Sequence, residues 1–159
     1  MNKIQIVSKP EFNQFMGKYG VNDSNVEKEF KGAAISINDT VGDWAVSWFE
    51  YDHNNILRLW FDDVETDEQQ SPTNPFTCRA FNYDQAKQVF DFIKKHSEKD
   101  WVVHCSAGIS RSGAVGTFIL HYLEGDKEYF EKRNPHIHPN GHILRMLNKL
   151  AWEENKNHE

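Results

Sequence analysis

The chain of 159 residues has little sulfur, with two cysteines, Cys78 and Cys105. They could close one bridge at most, which excludes a secreted disulfide scaffold and makes a reducing cytoplasm the expected compartment. Long apolar runs are also missing: none approaches the ~20 residues of a membrane-spanning helix. Met1–Val7 holds one lysine and no apolar stretch of the ~7–15 residues that a secretory signal requires. There is no cationic excess either. Eighteen Lys and Arg stand against 24 Asp and Glu, a net charge of −6, which disfavours a general binder of phosphate backbones. Neither a nucleic-acid nor a membrane partner is expected. Repeats, low-complexity tracts and linkers are absent as well, so residues 1–159 read as one domain.

What is present is a core. Eleven Phe, five Trp and five Tyr supply large apolar side chains that disordered chains lack, and the mean hydropathy of −0.73 describes a polar surface around them. Lys3–Ser8 reads as a strand. A helix starts at Pro10, carries Phe12, Phe15 and Met16 on one face, and ends at Gly17 and Gly20. Gly32–Asn38, Trp44–Glu50 and Asn55–Phe61 read as strands, and the polar stretch Val64–Ala80, with Pro72 and Pro75, as a long loop. Asn82 caps a helix with Gln85 three residues on and Tyr83, Ala86, Phe90 and Ile93 as its apolar stripe. Trp101–Val103 is a short apolar run of the kind found in a central strand, with Trp101, like Trp60, a core residue. Ser112–Leu123 reads as a buried helix closing at Gly125, Asp126 caps a short helix to Lys132, and Pro139-Asn140 opens the last helix, with Ile143, Leu147 and Leu150 at helical spacing. Strands alternating with helices predict an α/β fold with a single central, mostly parallel sheet flanked by helices.

One segment carries chemistry: Val103-His104-Cys105-Ser106-Ala107-Gly108-Ile109-Ser110-Arg111-Ser112-Gly113. It runs from a buried strand through small residues into a buried helix, the arrangement in which loop amides and a helix N-terminus converge on one anion. The amides of Ser106, Ala107, Gly108, Ile109 and Ser110 are the expected cradle, and the planar fork of Arg111 the second phosphate ligand. The same donors favour the thiolate of Cys105, the nucleophile of a covalent phosphoryl transfer. The leaving oxygen then needs a proton from a carboxylic acid, and Ser112 is placed to ease departure of the sulfur.

His-Cys, five residues, Arg-Ser, with Ala107-Gly108 inside, resembles the signature loop of cysteine-dependent protein tyrosine phosphatases, and its spelling is most similar to the compact dual-specificity branch. The resemblance extends to Leu57–Val64, which looks like that branch's strand leading into its general-acid loop, and to Phe130–Pro135 and Pro139-Asn140. It covers roughly residues 32–152. It implies a phosphatase-like fold, a phosphorylated protein as substrate, and no cofactor or metal. It also implies that His104 and Asn140 support the site and that Asp63 is the general acid, with Asp62 the second choice. Asp63 precedes Cys105 by 42 residues, longer than that branch usually shows, and Val64–Ala80 holds the extra length. Cys78 reads as a loop cysteine before it reads as a resolving thiol, and His136, His138 and His142 as loop histidines, since their spacing matches no common zinc pattern. Two competing functions stand beside the protein phosphatase. A phosphatase for RNA 5′-triphosphates or phosphoinositides is disfavoured because residues 106–110 carry no charge. An inactive phosphate-binding module is disfavoured because the chain keeps a candidate cysteine, arginine and acid.

Overall fold

The computed structural model describes residues 1–67 and 78–157. Four strands form one sheet: β1 (Ile4–Ser8), β2 (Ala33–Asn38), β3 (Ile56–Trp60) and β4 (Trp101–Cys105). The order is β1-β4-β2-β3 and every neighbouring pair is parallel. The helices are α1 (Lys9–Lys18), α2 (Val26–Glu29), α3 (Tyr83–Lys95), α4 (Arg111–Leu123), α5 (Lys127–Arg133) and α6 (Gly141–Asn157). This is the predicted α/β architecture.

The sheet has a core on each face because strand residues alternate sides. Ile35, Ile37, Leu57, Leu59 and Val103 meet Phe90, Ile93, Val115, Ile119, Ile143 and Leu147 from α3, α4 and α6. On the other face Ala34, Val7 and Ile56 meet Phe12, Met16, Val21 and Phe49. All six residues of β2 are buried, as a strand covered on both faces requires.

β1 is an edge strand, and side chains close its free edge. The Asn134 amide copies a neighbouring strand: its Oδ1 accepts the Ile6 N–H at 2.8 Å and its Nδ2 donates to the Ile4 carbonyl at 2.8 Å. His136 Nε2 adds a bond to the Ile6 carbonyl.

Trp44–Glu50 is not the strand its apolar content predicts. A 3₁₀ turn at Asp43–Ala45 is followed by irregular chain. Its groups are used by other elements: the Trp44 carbonyl accepts from Asp39 N and Lys9 Nζ, Trp48 Nε1 donates to the Val21 carbonyl, and Phe49 is buried against Phe12. Two helix ends also differ from expectation. Gly17 lies inside α1, and the left-handed residue closing α4 is Glu124 (φ 51°) rather than Gly125. α2 is too short for its apolar spacing to be read. The expected long loop Val64–Ala80 falls partly outside the described residues.

Candidate active site

The C-terminal ends of the four parallel strands lie along one edge of the sheet, and the chemistry-bearing residues gather there. Ser8 ends β1 and Lys9 follows it, Asp39 follows β2, Asp62 and Asp63 follow β3, and Cys105 ends β4. Crevices at this edge are where open α/β sheets bind ligands.

Cys105 is buried, and its Sγ lies 3.1 Å from Ser112 Oγ and 3.3 Å from the Gly108 amide, which points at it. The loop turns sharply at Gly108 (φ 73°), where an added Cβ would lie 2.4 Å from the Val7 carbonyl carbon and 2.5 Å from the Ser8 nitrogen. Only glycine fits, on grounds of both conformation and space. The Lys9 N–H holds the same loop from outside through the Ser106 carbonyl. α4 starts at Arg111, so its N-terminal amides lie directly beyond the loop.

Arg111 is buried and held by three acceptors. Nη1 donates to Asp39 Oδ1 at 2.7 Å and to the Phe61 carbonyl at 2.9 Å, and Nη2 donates to Ser106 Oγ at 3.1 Å. Its Nε is buried and makes no hydrogen bond within the described residues. Nε and the second proton of Nη2 therefore form a free two-pronged donor on a guanidinium fixed from its other side. Asp39, itself buried, was not singled out by sequence reasoning. The signal was its place at the end of a strand, the same place as the acid candidates.

The paired acids separate cleanly. Asp62 is buried and accepts the Thr40 amide at 3.1 Å, Thr40 Oγ1 at 2.6 Å and the Arg79 amide at 2.8 Å. Asp63 is exposed, and its Oδ1 accepts from Ser110 Oγ at 2.8 Å and from Asn140 Nδ2 at 3.0 Å. Asn140 Oδ1 accepts the Ile143 amide at the start of α6, and its own amide donates to the Ser110 carbonyl. One asparagine thus ties the β3 loop, the Cys105 loop and α6 together.

His104 points to the opposite face of the sheet from Cys105 and packs on Phe12, with ring centroids 4.3 Å apart. Burial pushes its pKa down to about 3, aided by the charges of Lys9 and Arg111 against one backbone bond, so the ring is neutral. Its Nδ1–H donates to the Cys105 carbonyl and its Nε2 accepts from Ser36 Oγ at 2.7 Å. Ile109 is exposed at the rim.

Other candidates lie apart. Cys78 is buried and forms no disulfide with Cys105. His136 and His142 bond the carbonyls of Ile6 and Phe81, and the His138 amide bonds that of Ile109. No helix among the described residues is long and apolar enough to cross a membrane.

A parallel four-stranded sheet with this loop at the end of its central strand is the fold of tyrosine and dual-specificity phosphatases. Human DUSP28 is similar over 99% of this chain and 96% of its own, at TM-score 0.55 and 13% identity. The PTP-2 phosphatase of Cydia pomonella is similar over 94% of this chain and 86% of its own, at TM-score 0.54 and 19% identity. PTPMT1, solved with PI(5)P, matches over 97% and 92%, at TM-score 0.52 and 12% identity. At these identities the likeness is one of fold. No protein-family model and no curated protein matches the sequence.

Proposed function

We propose that the protein is a cysteine-dependent protein phosphatase that hydrolyses phosphotyrosine, with phosphoserine and phosphothreonine as the further substrates to test. The observation that carries this reading is Cys105 Sγ at the floor of a loop whose Gly108 amide points at it, beside a buried arginine with an unused Nε. In this reading the loop amides and the Arg111 fork hold three phosphate oxygens, and Cys105 attacks phosphorus in line with the leaving oxygen. The P–O bond breaks as the S–P bond forms, and the leaving oxygen takes its proton from Asp63. Because Ser110 and Asn140 both bond Asp63 Oδ1, Oδ2 is the oxygen left to carry that proton. Water then attacks the phosphocysteine and gives its proton to the Asp63 carboxylate left by the first step, the S–P bond breaks, and the Ser112 hydroxyl, 3.1 Å from Sγ, donates a hydrogen bond to the departing thiolate. Compartment enters as part of the same proposal: a reducing cytoplasm keeps Cys105 a thiol.

A phosphoinositide is the second reading, because PTPMT1 was solved with one. Against it, residues 106–110 bring no cation to meet further phosphates. The test is hydrolysis of para-nitrophenyl phosphate in EDTA, wild type beside Cys105→Ser, followed by phosphotyrosyl peptides and phosphoinositides compared by kcat/KM. Metal-independent turnover that vanishes in the variant is expected. A folded wild type that binds phosphate but turns nothing over would make the chain a phosphate-binding module. Faster hydrolysis of the lipid would select the second reading.

A further inference from the structure

Lys9 is buried at the end of β1, an unusual place for an ammonium group. Its Nζ donates to two neutral acceptors, Asn38 Oδ1 at 2.8 Å and the Trp44 carbonyl at 2.7 Å, and it forms none of the ion pairs found among the described residues. Its charge is therefore held in place without being cancelled by direct contact. Next along β2 from Asn38 stands Asp39, whose Oδ1 takes both Arg111 Nη1 and Ser106 Oγ while its buried Oδ2 has no hydrogen-bond partner within the described residues.

This arrangement poses an electrostatic problem. Asp39 fixes Arg111, but a buried carboxylate 2.7 Å from the guanidinium also offsets the charge that a phosphate dianion has to meet. Arg111 and Asp39 together bring no net charge. Lys9 restores one positive charge to the cluster, close enough that Asp39 and Arg111 both act on its titration.

We propose that Lys9 is a positioning residue of the phosphate site, which holds the Cys105 loop through its backbone amide and keeps the loop's potential positive by offsetting Asp39. The proposal rests on the reading that this loop binds phosphate, and it requires no turnover. Its chemistry also sets a pH window. Burial pushes the Lys9 ammonium down to about 8, with Asp39 working against that and Arg111 adding to it. The charged groups facing it are Asp39 and Arg111, with the neutral His104 nearby. The contribution of Lys9 is accordingly present below about pH 8 and is lost above it.

The experiment is calorimetric binding of inorganic phosphate to the full chain, wild type beside Lys9→Met, Lys9→Gln and Lys9→Arg, with para-nitrophenyl phosphate kinetics on the same samples. At pH 7 the Met and Gln variants should bind phosphate on the order of tenfold more weakly, with KM raised by a similar factor and kcat changed much less. Lys9→Arg should restore binding. The deficit of the neutral variants should shrink as pH rises from 7 through 9, because wild type loses the same charge there. Lys9→Gln keeps a donor for the Trp44 carbonyl and serves if Lys9→Met does not fold, as melting will show. Wild-type phosphate affinity in both neutral variants overturns the proposal, as does a deficit independent of pH. A Lys9-dependent phosphate affinity in a chain without turnover upholds it while overturning the phosphatase reading. No phosphate binding by wild type overturns both.

Discussion

At the residue scale, Asp62 and Asp63 are neighbours with the same side chain and opposite surroundings. Donors from Thr40 and Arg79 close on the buried Asp62 carboxylate, so it fastens the chain after β3 to both. Asp63 faces solvent, and among the described residues its hydrogen bonds fall on Oδ1. Asp63→Asn should therefore slow phenyl phosphate hydrolysis by about 100-fold or more, and 2,4-dinitrophenyl phosphate much less, because a good leaving group needs no proton. Steady-state rates on the pair decide it: an equal loss on both substrates would remove Asp63 from the acid role. Asp62→Asn turns an NH₂ toward donors and should instead lower the melting temperature. If that variant shows the leaving-group dependence, Asp62 is the acid. Gly108→Ala forces a Cβ into the Val7–Ser8 backbone and should abolish both turnover and phosphate binding, read by the same assay and by calorimetry.

At the scale of elements, what shapes the site is how the strand ends are tied off. Asn134 gives edge strand β1 two backbone-like hydrogen bonds in a buried setting. Asn134→Ala takes these bonds from the Ile4 carbonyl and the Ile6 N–H, and His136, which bonds the Ile6 carbonyl, replaces neither. The expected cost is about 1–3 kcal/mol, a fall of roughly 2–10 °C in melting temperature for a domain of this size. Thermal melts by circular dichroism measure it. Since β1 also supports Gly108, phosphate affinity should fall along with stability. A variant that melts like wild type would mean that water suffices for these two groups at this edge.

For the molecule as a whole, the buried cluster under the sheet edge links stability to pH. His104 is neutral when folded, with its pKa near 3, whereas an unfolded histidine titrates near 6.5. The unfolded chain thus binds a proton that the folded chain refuses, so stability is full above about pH 6.5 and falls as pH drops toward 3. His96, whose pKa burial also lowers, acts in the same direction. The urea midpoint should be lower at pH 5 than at pH 7, and the drop should be smaller in His104→Gln. An unchanged midpoint would show that His104 gains access to water before global unfolding. Lys9 acts at the other end: its lowered pKa makes stability rise as pH passes from about 8 toward 10.5.

Local sequence was enough for the four strands and the five longer helices, because each strand is a short apolar run and helices such as α1 and α3 carry their own caps. Asn82 with Gln85 forms the reciprocal cap its spacing predicts. The loop from Cys105 to Arg111 was legible for the same reason: its residues are contiguous, so their relative placement follows from chain geometry alone. Where contacts join residues distant in sequence, the sequence was silent. Trp44–Glu50 has the composition of a strand, and only the partners waiting on α1, on the chain after it and on β3 turn it into irregular chain. Asp39 and Lys9 lie 72 and 102 positions from Arg111, and nothing in their neighbourhoods marks them. Parallel pairing of β1, β2 and β4 brings their ends together at one edge, and that pairing sets a buried lysine and a buried aspartate beside Arg111 and the Cys105 loop. Asp62 and Asp63 were distinguished the same way, since which of two adjacent carboxylates meets Thr40 and which meets Ser110 depends on chain packed from elsewhere.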